Sequence, residues 1–289
     1  MLLSRILRAL LLAVALTGPA AAQEADPLSL AALLISDGSW SRAATVLSDI
    51  DPEMKGLDTV RYHSLLGLLA LQQQDYPVAA GEFQLALAAS EAKPDPTLIL
   101  YLARTQLLGG QPEAAMATLE GGGEDVDMLP SSWLIRARAA RDLGDMAAAW
   151  LAMSAGAERF PERREFSRQQ ILLLVELGLS QEAAERTSAL LEAGTVSAED
   201  ALVFSEALRK SGALREATIL LEEARLRFPE NLDIPVRQAA VALDSGQPLT
   251  AARFLQVAAE LDAAYALDAA ELFRRAGKLE QALYMNAWV

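Results

Sequence analysis

Between residues 133 and 161, small and apolar side chains fall at helical spacing on either side of one polar break. Trp133 and Ala137 precede it, Gly144 and Asp145 form it, and Ala149, Met153 and Gly156 follow on one face before Pro161. Residues three or four apart share a side of a helix, so the pattern predicts two helices joined by a turn at Gly144. The pattern then returns, because Gly144 is followed by Gly178, Gly212 and Gly246, each 34 residues on. A constant period of that length marks stacked repeats.

A second ladder follows the turns: Ala43, Ala79, Ala114, Ala149, Ala183, Ala217, Ala251 and Ala282. Small residues there let the two helices of a unit approach closely. The residue four further on (Phe83, Thr118, Met153, Thr187, Leu221, Leu255) packs against a neighbouring helix. Another small residue shares that face at Ala86, Gly156, Ala224 and Ala258, and Pro161 and Pro229 stop the second helix.

On these residues the chain resembles the tetratricopeptide repeat family from about residue 27 to 289. Trp133, Ala137, Gly144, Asp145, Ala149, Met153 and Pro161 carry the likeness best, with Leu66, Gly67, Asp75, Tyr76, Ala79, Phe83 and Ala86. Leu102 and Ile171 depart from it, standing where the first helix usually has a small residue. The resemblance implies an all-α, right-handed α-solenoid of about eight helix pairs, with a concave groove lined by the first helix of each pair. Mapped by phase, the groove residues are Leu134, Arg138, Arg141, Arg168, Leu172, Val175, Leu202, Arg209, Val236 and Leu243, with Leu68, Leu71 and Ile99 earlier. Members that grip a terminal carboxylate use lysine and asparagine at fixed groove positions. Here those positions read Ser64 and Leu68, Ile99 and Ala103, Leu134 and Arg138, so that clamp is absent.

Charge narrows the choice of partner. Twenty-five basic and 39 acidic residues give a net charge of −14, which argues against nucleic acid. Residues 131–168 run the other way, with seven arginines (Arg136, Arg138, Arg141, Arg159, Arg163, Arg164, Arg168) against five acids. Arginine forks suit carboxylates, so an acidic peptide or anionic glycan is the ligand this window suggests. The bland reading is that these arginines are solvated helix faces paired with nearby acids.

The start of the chain reads as an address. Arg5 and Arg8 precede the apolar run Ala9–Leu16, and Ala20-Ala21-Ala22 offers a cleavage site before Gln23. Residues 1–22 are therefore expected to be a cleaved secretory signal and 23–26 a short linker. Removing Arg5 and Arg8 leaves 23 basic and 39 acidic residues, a charge of −16. With no cysteine there are no disulfides, thiolate metal sites or cysteine-linked lipid, and a Gram-negative periplasm is the expected location.

Little in the sequence signals catalysis. His63 is the one histidine, at a position expected to be core, and no nucleophile or phosphate-loop motif accompanies it. The acids Glu124, Asp125 and Asp127 lack the spacing of a calcium loop. No enzyme activity, cofactor or metal is expected. The Gly121-Gly122-Gly123 triplet makes residues 121–130 a candidate hinge. At the other end, Leu283, Tyr284, Met285 and Trp288 are expected to be partly uncovered, as a docking face for a partner or a second copy of the chain. The functional expectation is a scaffold whose groove holds a helix or peptide of a membrane-bound envelope complex for secretion, polysaccharide export or energised transport. The alternative is a polysaccharide- or peptidoglycan-binding accessory protein.

Overall fold

A computed structural model describes residues 26–91 and 93–288. The expected signal at 1–22, residues 23–25 of the linker and Val289 lie outside the described residues. Within them are seventeen α-helices and no strand. The first nine are α1 (Pro27–Ser36), α2 (Trp40–Ser48), α3 (Thr59–Gln72), α4 (Tyr76–Ala88), α5 (Pro96–Leu108), α6 (Pro112–Gly121), α7 (Gly123–Asp127), α8 (Pro130–Asp142) and α9 (Met146–Arg159). There follow α10 (Arg164–Glu176), α11 (Ser180–Glu192), α12 (Ala198–Lys210), α13 (Leu214–Arg227), α14 (Asp233–Asp244), α15 (Pro248–Leu261), α16 (Ala266–Arg275) and α17 (Leu279–Asn286). Apart from the short α7, they form eight successive pairs.

All eight pairs close on the same turn. A residue with positive φ sits in each, at Gly38, Gln74, Gly110, Gly144, Gly178, Gly212, Gly246 and Gly277. The next residue donates its backbone N–H to the carbonyl five positions back, for example Ser39 to Leu34, Asp145 to Ala140 and Lys278 to Phe273, at 2.8 Å. This closure satisfies carbonyls that the end of a helix leaves without partners, and it needs a left-handed residue at its centre. Glycine fills seven of the eight turns. In the second pair Gln74 is held at φ 61°, the one described non-glycine residue with positive φ.

Five residues beyond each of those positions lies the small buried residue of the second helix: Ala43, Ala79, Ala115, Ala149, Ala183, Ala217, Ala251 and Ala282. In the third pair the sequence pattern is off by one. Ala115 is fully buried and Ala114 is not, because the turn pivots on Gly110 and carries the phase one residue further. The packing residue there is consequently Leu119, fully buried, rather than Thr118.

The chain divides into two compact units after Ala152, within α9. In the first unit the core is a succession of clusters, each shared by neighbouring pairs. Leu34, Ala43, Leu47 and Leu65 belong to one, Ala79, Phe83 and Leu98 to the next, and Ile99, Leu119 and Val126 to a third. Gly67 fixes one contact, since a Cβ there would stand 2.6 Å from the Phe83 ring.

Residues 121–130, the candidate hinge, lie inside this unit. Half of them form α7, whose Val126 is fully buried. Trp133 Nε1 donates to the Asp127 carbonyl at 3.0 Å. Arg136 stacks over the Trp133 ring and pairs with the Asp127 carboxylate at 2.6 Å. A glycine triplet thus ends one helix and starts another, and Asp125 and Asp127 after it pair with Lys93 and Arg136.

In the second unit Gly156 admits the Phe166 ring, where a Cβ would come within 2.2 Å, and Phe160 stacks on that ring at 6.1 Å. A capping box between Ser197 and Asp200 starts α12. The last two pairs share an alanine-rich cluster with Leu255, Phe273 and Met285.

Candidate functional site

The first helices of the first three pairs, α1, α3 and α5, flank a cleft of about 290 Å³ in the first unit. Ile35 of α1, Leu65 and Leu68 of α3 and Leu98 and Tyr101 of α5 line it, with the fully buried Phe83 of α4 beneath. Tyr101 stacks on Phe83 with ring centres 5.6 Å apart. Burial pushes the Tyr101 phenol above its ordinary value; Arg104 pulls it down and Asp95 adds to the rise. Ser64 turns its hydroxyl onto the Val60 carbonyl at 2.6 Å, which leaves the middle of the cleft apolar.

Carboxylates stand at its mouth. Asp58 and Asp95 are exposed and cap α3 and α5, accepting from Arg61 N at 3.0 Å and Thr97 N at 2.8 Å. Arg61 reaches Asp26, the cap of α1, at 3.2 Å. Burial opposes ionisation of Asp26, yet hydrogen bonds from Ser29 and the backbone of Leu28 and Ser29, with the Arg61 charge, hold it below the usual carboxylate value. Away from the residues that line the cleft, His63 Nδ1 lies 2.7 Å from Glu82 Oε2 and ties α3 to α4, a structural position for the chain's one histidine.

In the second unit the first helices carry a lattice of charges. Arg168 of α10 meets Asp200 of α12 at 3.4 Å. Arg209 forks onto Glu206 at 2.9 and 3.0 Å and also holds Asp244 of α14, while Arg237 of α14 reaches back to Glu206. The Arg209 hydrogen bonds, opposed by some burial and helped by Arg237, draw the Glu206 carboxyl down to about 2. Bonds to Glu206 and Asp244 raise the Arg209 guanidinium further above its already high value.

No family model and no curated protein matches the sequence. Among solved structures, yeast Tom70 superposes with a TM-score of 0.57 at 13% identity, covering 93% of this chain and 61% of its own. A tetratricopeptide repeat protein from Parabacteroides merdae gives 0.52 at 15% identity, covering 79% of this chain and 91% of its own. The APC/C heterotetramer Cut9–Hcn1 gives 0.51 at 16%, covering 89% of this chain and 48% of that one. The chain has the tetratricopeptide-repeat fold. It spans about half of the Cut9–Hcn1 match and under two thirds of Tom70.

On this tetratricopeptide framework the residues marked by phase meet different fates. Leu134, Leu172, Leu202 and Val236 are half-buried and Leu243 is exposed on the first helices. Val175 is a correction: it is buried, on the inward side of α10 that Ile171 four residues earlier also occupies, rather than lining a surface. Arg138 is paired with Asp142 at 2.8 Å, one turn along α8, and Arg168 and Arg209 belong to the charge lattice. Arg141 is also engaged within the chain. At the last pair Leu283 and Tyr284 are exposed, at 70% and 55%. Met285 is the second correction. It is fully buried, since with Ala282 it forms the inward stripe of α17, while Trp288 is partly buried against the same cluster and meets Tyr284 edge-on at 5.6 Å.

Tyr101, Val60 and Thr97 of the cleft were not marked from the sequence. The phase of Ser64 and Leu68 carried one pair further leads to Ile99 and Ala103 instead, and both are buried in a core cluster rather than lining the cleft. Among the described residues no group of three acids or histidines is placed to hold a metal ion, and no helix is long and apolar enough to cross a membrane.

Proposed function

We propose that this chain is a non-enzymatic interaction scaffold of the cell envelope, acting in the periplasm, and that it docks a helix or peptide of a partner on the first-helix face of its first three pairs. The observation that carries this reading is the cleft over Phe83, apolar within and open at the surface of α1, α3 and α5. At about 290 Å³ it lies at the foot of the range for ligand pockets, roughly 300–1,000 Å³, which suits one large side chain of a docked segment. Buried anchors of that kind supply most of the binding energy in protein interfaces. The charged side chains of the second unit's lattice are already paired with one another, so they add less to capture.

Two measurements test this. Fractionation of producing cells, with sequencing of the mature N-terminus, is expected to find the protein in the periplasm beginning at Gln23; a cytoplasmic protein that keeps its first residue contradicts the location. Leu68→Glu is expected to weaken capture of the envelope partner at least tenfold while leaving helical content intact. Replacing Arg168 and Arg209 together by alanine is expected to change capture less than twofold. The reverse ranking moves the docking surface to the arginines.

A further inference from the structure

We infer that the segment docked in the cleft is cationic: one large apolar side chain flanked by lysine or arginine. This rests on the docking reading above and adds the sign of the partner, opposite to the acidic ligand that the arginine-rich window suggests. The cleft interior is apolar, from Ile35, Leu65, Leu68 and Leu98 down to Phe83, so the part that enters must be apolar too. Its mouth is not neutral. Asp58 and Asp95 stand there exposed, each with one oxygen engaged by the backbone N–H it caps. The cation beside them, Arg61, is held by Asp26. Arg104, further along α5, is felt by Tyr101 but does not line the cleft. The charged residues that line the cleft, Asp58, Asp95 and Arg61, leave its mouth negative, on a chain whose overall charge is −14. Rim charges steer encounter and reject like-charged partners, so an acidic segment is disfavoured both on approach and when seated.

The test selects a random twelve-residue phage library against the purified full chain, then measures the leading peptide by fluorescence anisotropy. The enriched peptides are expected to share an aromatic or leucine anchor with lysine or arginine within two residues of it. Binding is expected to weaken at least tenfold on Leu68→Glu. The double variant Asp58→Asn with Asp95→Asn removes the charges but keeps the caps, because asparagine caps a helix about as well as aspartate. It is expected to weaken the leading peptide about fivefold, and raised salt to do the same. Melting curves of each variant separate lost binding from lost folding.

Peptides with an anchor and no charge preference, lost on Leu68→Glu, overturn the cationic inference and leave the cleft standing. Acidic peptides lost on Leu68→Glu do the same. Enrichment indifferent to Leu68→Glu, or none over bare resin, overturns the cleft itself. A dimer of the chain that Leu68→Glu dissociates places a second copy there and overturns the cationic segment.

Discussion

The same architectural surface is used in two ways in the two units. In the first, the exposed side of α1, α3 and α5 opens over Phe83 into an apolar cleft with acids at its mouth. In the second, α10, α12 and α14 are laced together by Arg168–Asp200, Arg209–Glu206, Arg209–Asp244 and Arg237–Glu206. Both surfaces are made from first helices one repeat apart, so the backbone does not decide between them. Side-chain chemistry does. Apolar residues at the contact positions leave surface that a partner's apolar group gains by covering. Charges at equivalent positions find each other, and a ligand then has to displace a partner already in place. Arginine density is therefore a poor guide to a binding face unless the nearby acids are placed as well.

The comparison breaks most sharply at the floor of the cleft. Gly67→Val forces a branched side chain into the space of the buried Phe83 ring, and is expected to destabilise the first unit by about 2–3 kcal/mol. Hydrogen exchange in α3 and α4 should accelerate while that in α12 and α14 stays unchanged. Equal acceleration in both units would show that they do not hold their cores separately.

The charge lattice is tested by acid. Glu206 has a carboxyl drawn from 4.5 to about 2, with a side chain 22% exposed. A lowered folded value contributes stability above the unfolded one, and that contribution fades as pH falls from about 4.5 through 2. Water at the lattice screens it, so about 1–2 kcal/mol is expected. Denaturant melts of the wild type should show this loss below pH 4.5, and Glu206→Gln should remove it while lowering stability at pH 7. Matching pH profiles for the two proteins would mean that the lattice adds nothing.

The turns give the smaller effects. Gly178 has φ +75° with open space where a Cβ would sit, so Gly178→Val meets backbone strain alone and is expected to cost about 1–2 kcal/mol in thermal melts. Gln74 already bears such strain. Gln74→Gly is expected to stabilise the first unit by roughly 0.5–1 kcal/mol, relief of the left-handed strain exceeding the added freedom of the unfolded chain. A loss of stability would mean that the Gln74 side chain contributes more than its backbone costs.

These turns also show what the sequence made legible. Glycine at a constant interval exposed the helix pairs, because the left-handed centre of the turn favours that residue. Where Gln74 takes its place the signal vanishes, though the geometry does not. Where Gly109 and Gly110 stand together it blurs by one residue, enough to exchange Ala114 for Ala115. Among the residues marked by apolar phase, Leu68 lines the cleft, whereas Ile99 and Val175 are buried. Partners such as Asp142 of Arg138 lie along one helix, but others do not, since Arg61 pairs with Asp26 and Arg209 with Asp244, each 35 residues away. Opposite charges about one repeat apart are the signal that finds such pairs, since first helices of successive pairs are neighbours. Met285 and Trp288 taught the converse, that an apolar cluster at the last helix divides into an inward stripe and an outward one.

Site-specific photocrosslinking compares the two faces in one experiment. A benzophenone side chain at Leu68 in the cleft, or at Leu202 beside the charge lattice, is activated in intact producing cells and the adducts are separated by mass. A discrete adduct from position 68, absent from 202 and lost when Asp58→Asn and Asp95→Asn are added, is expected if a cationic partner docks on the first unit. An adduct from position 202 with none from 68 would contradict it.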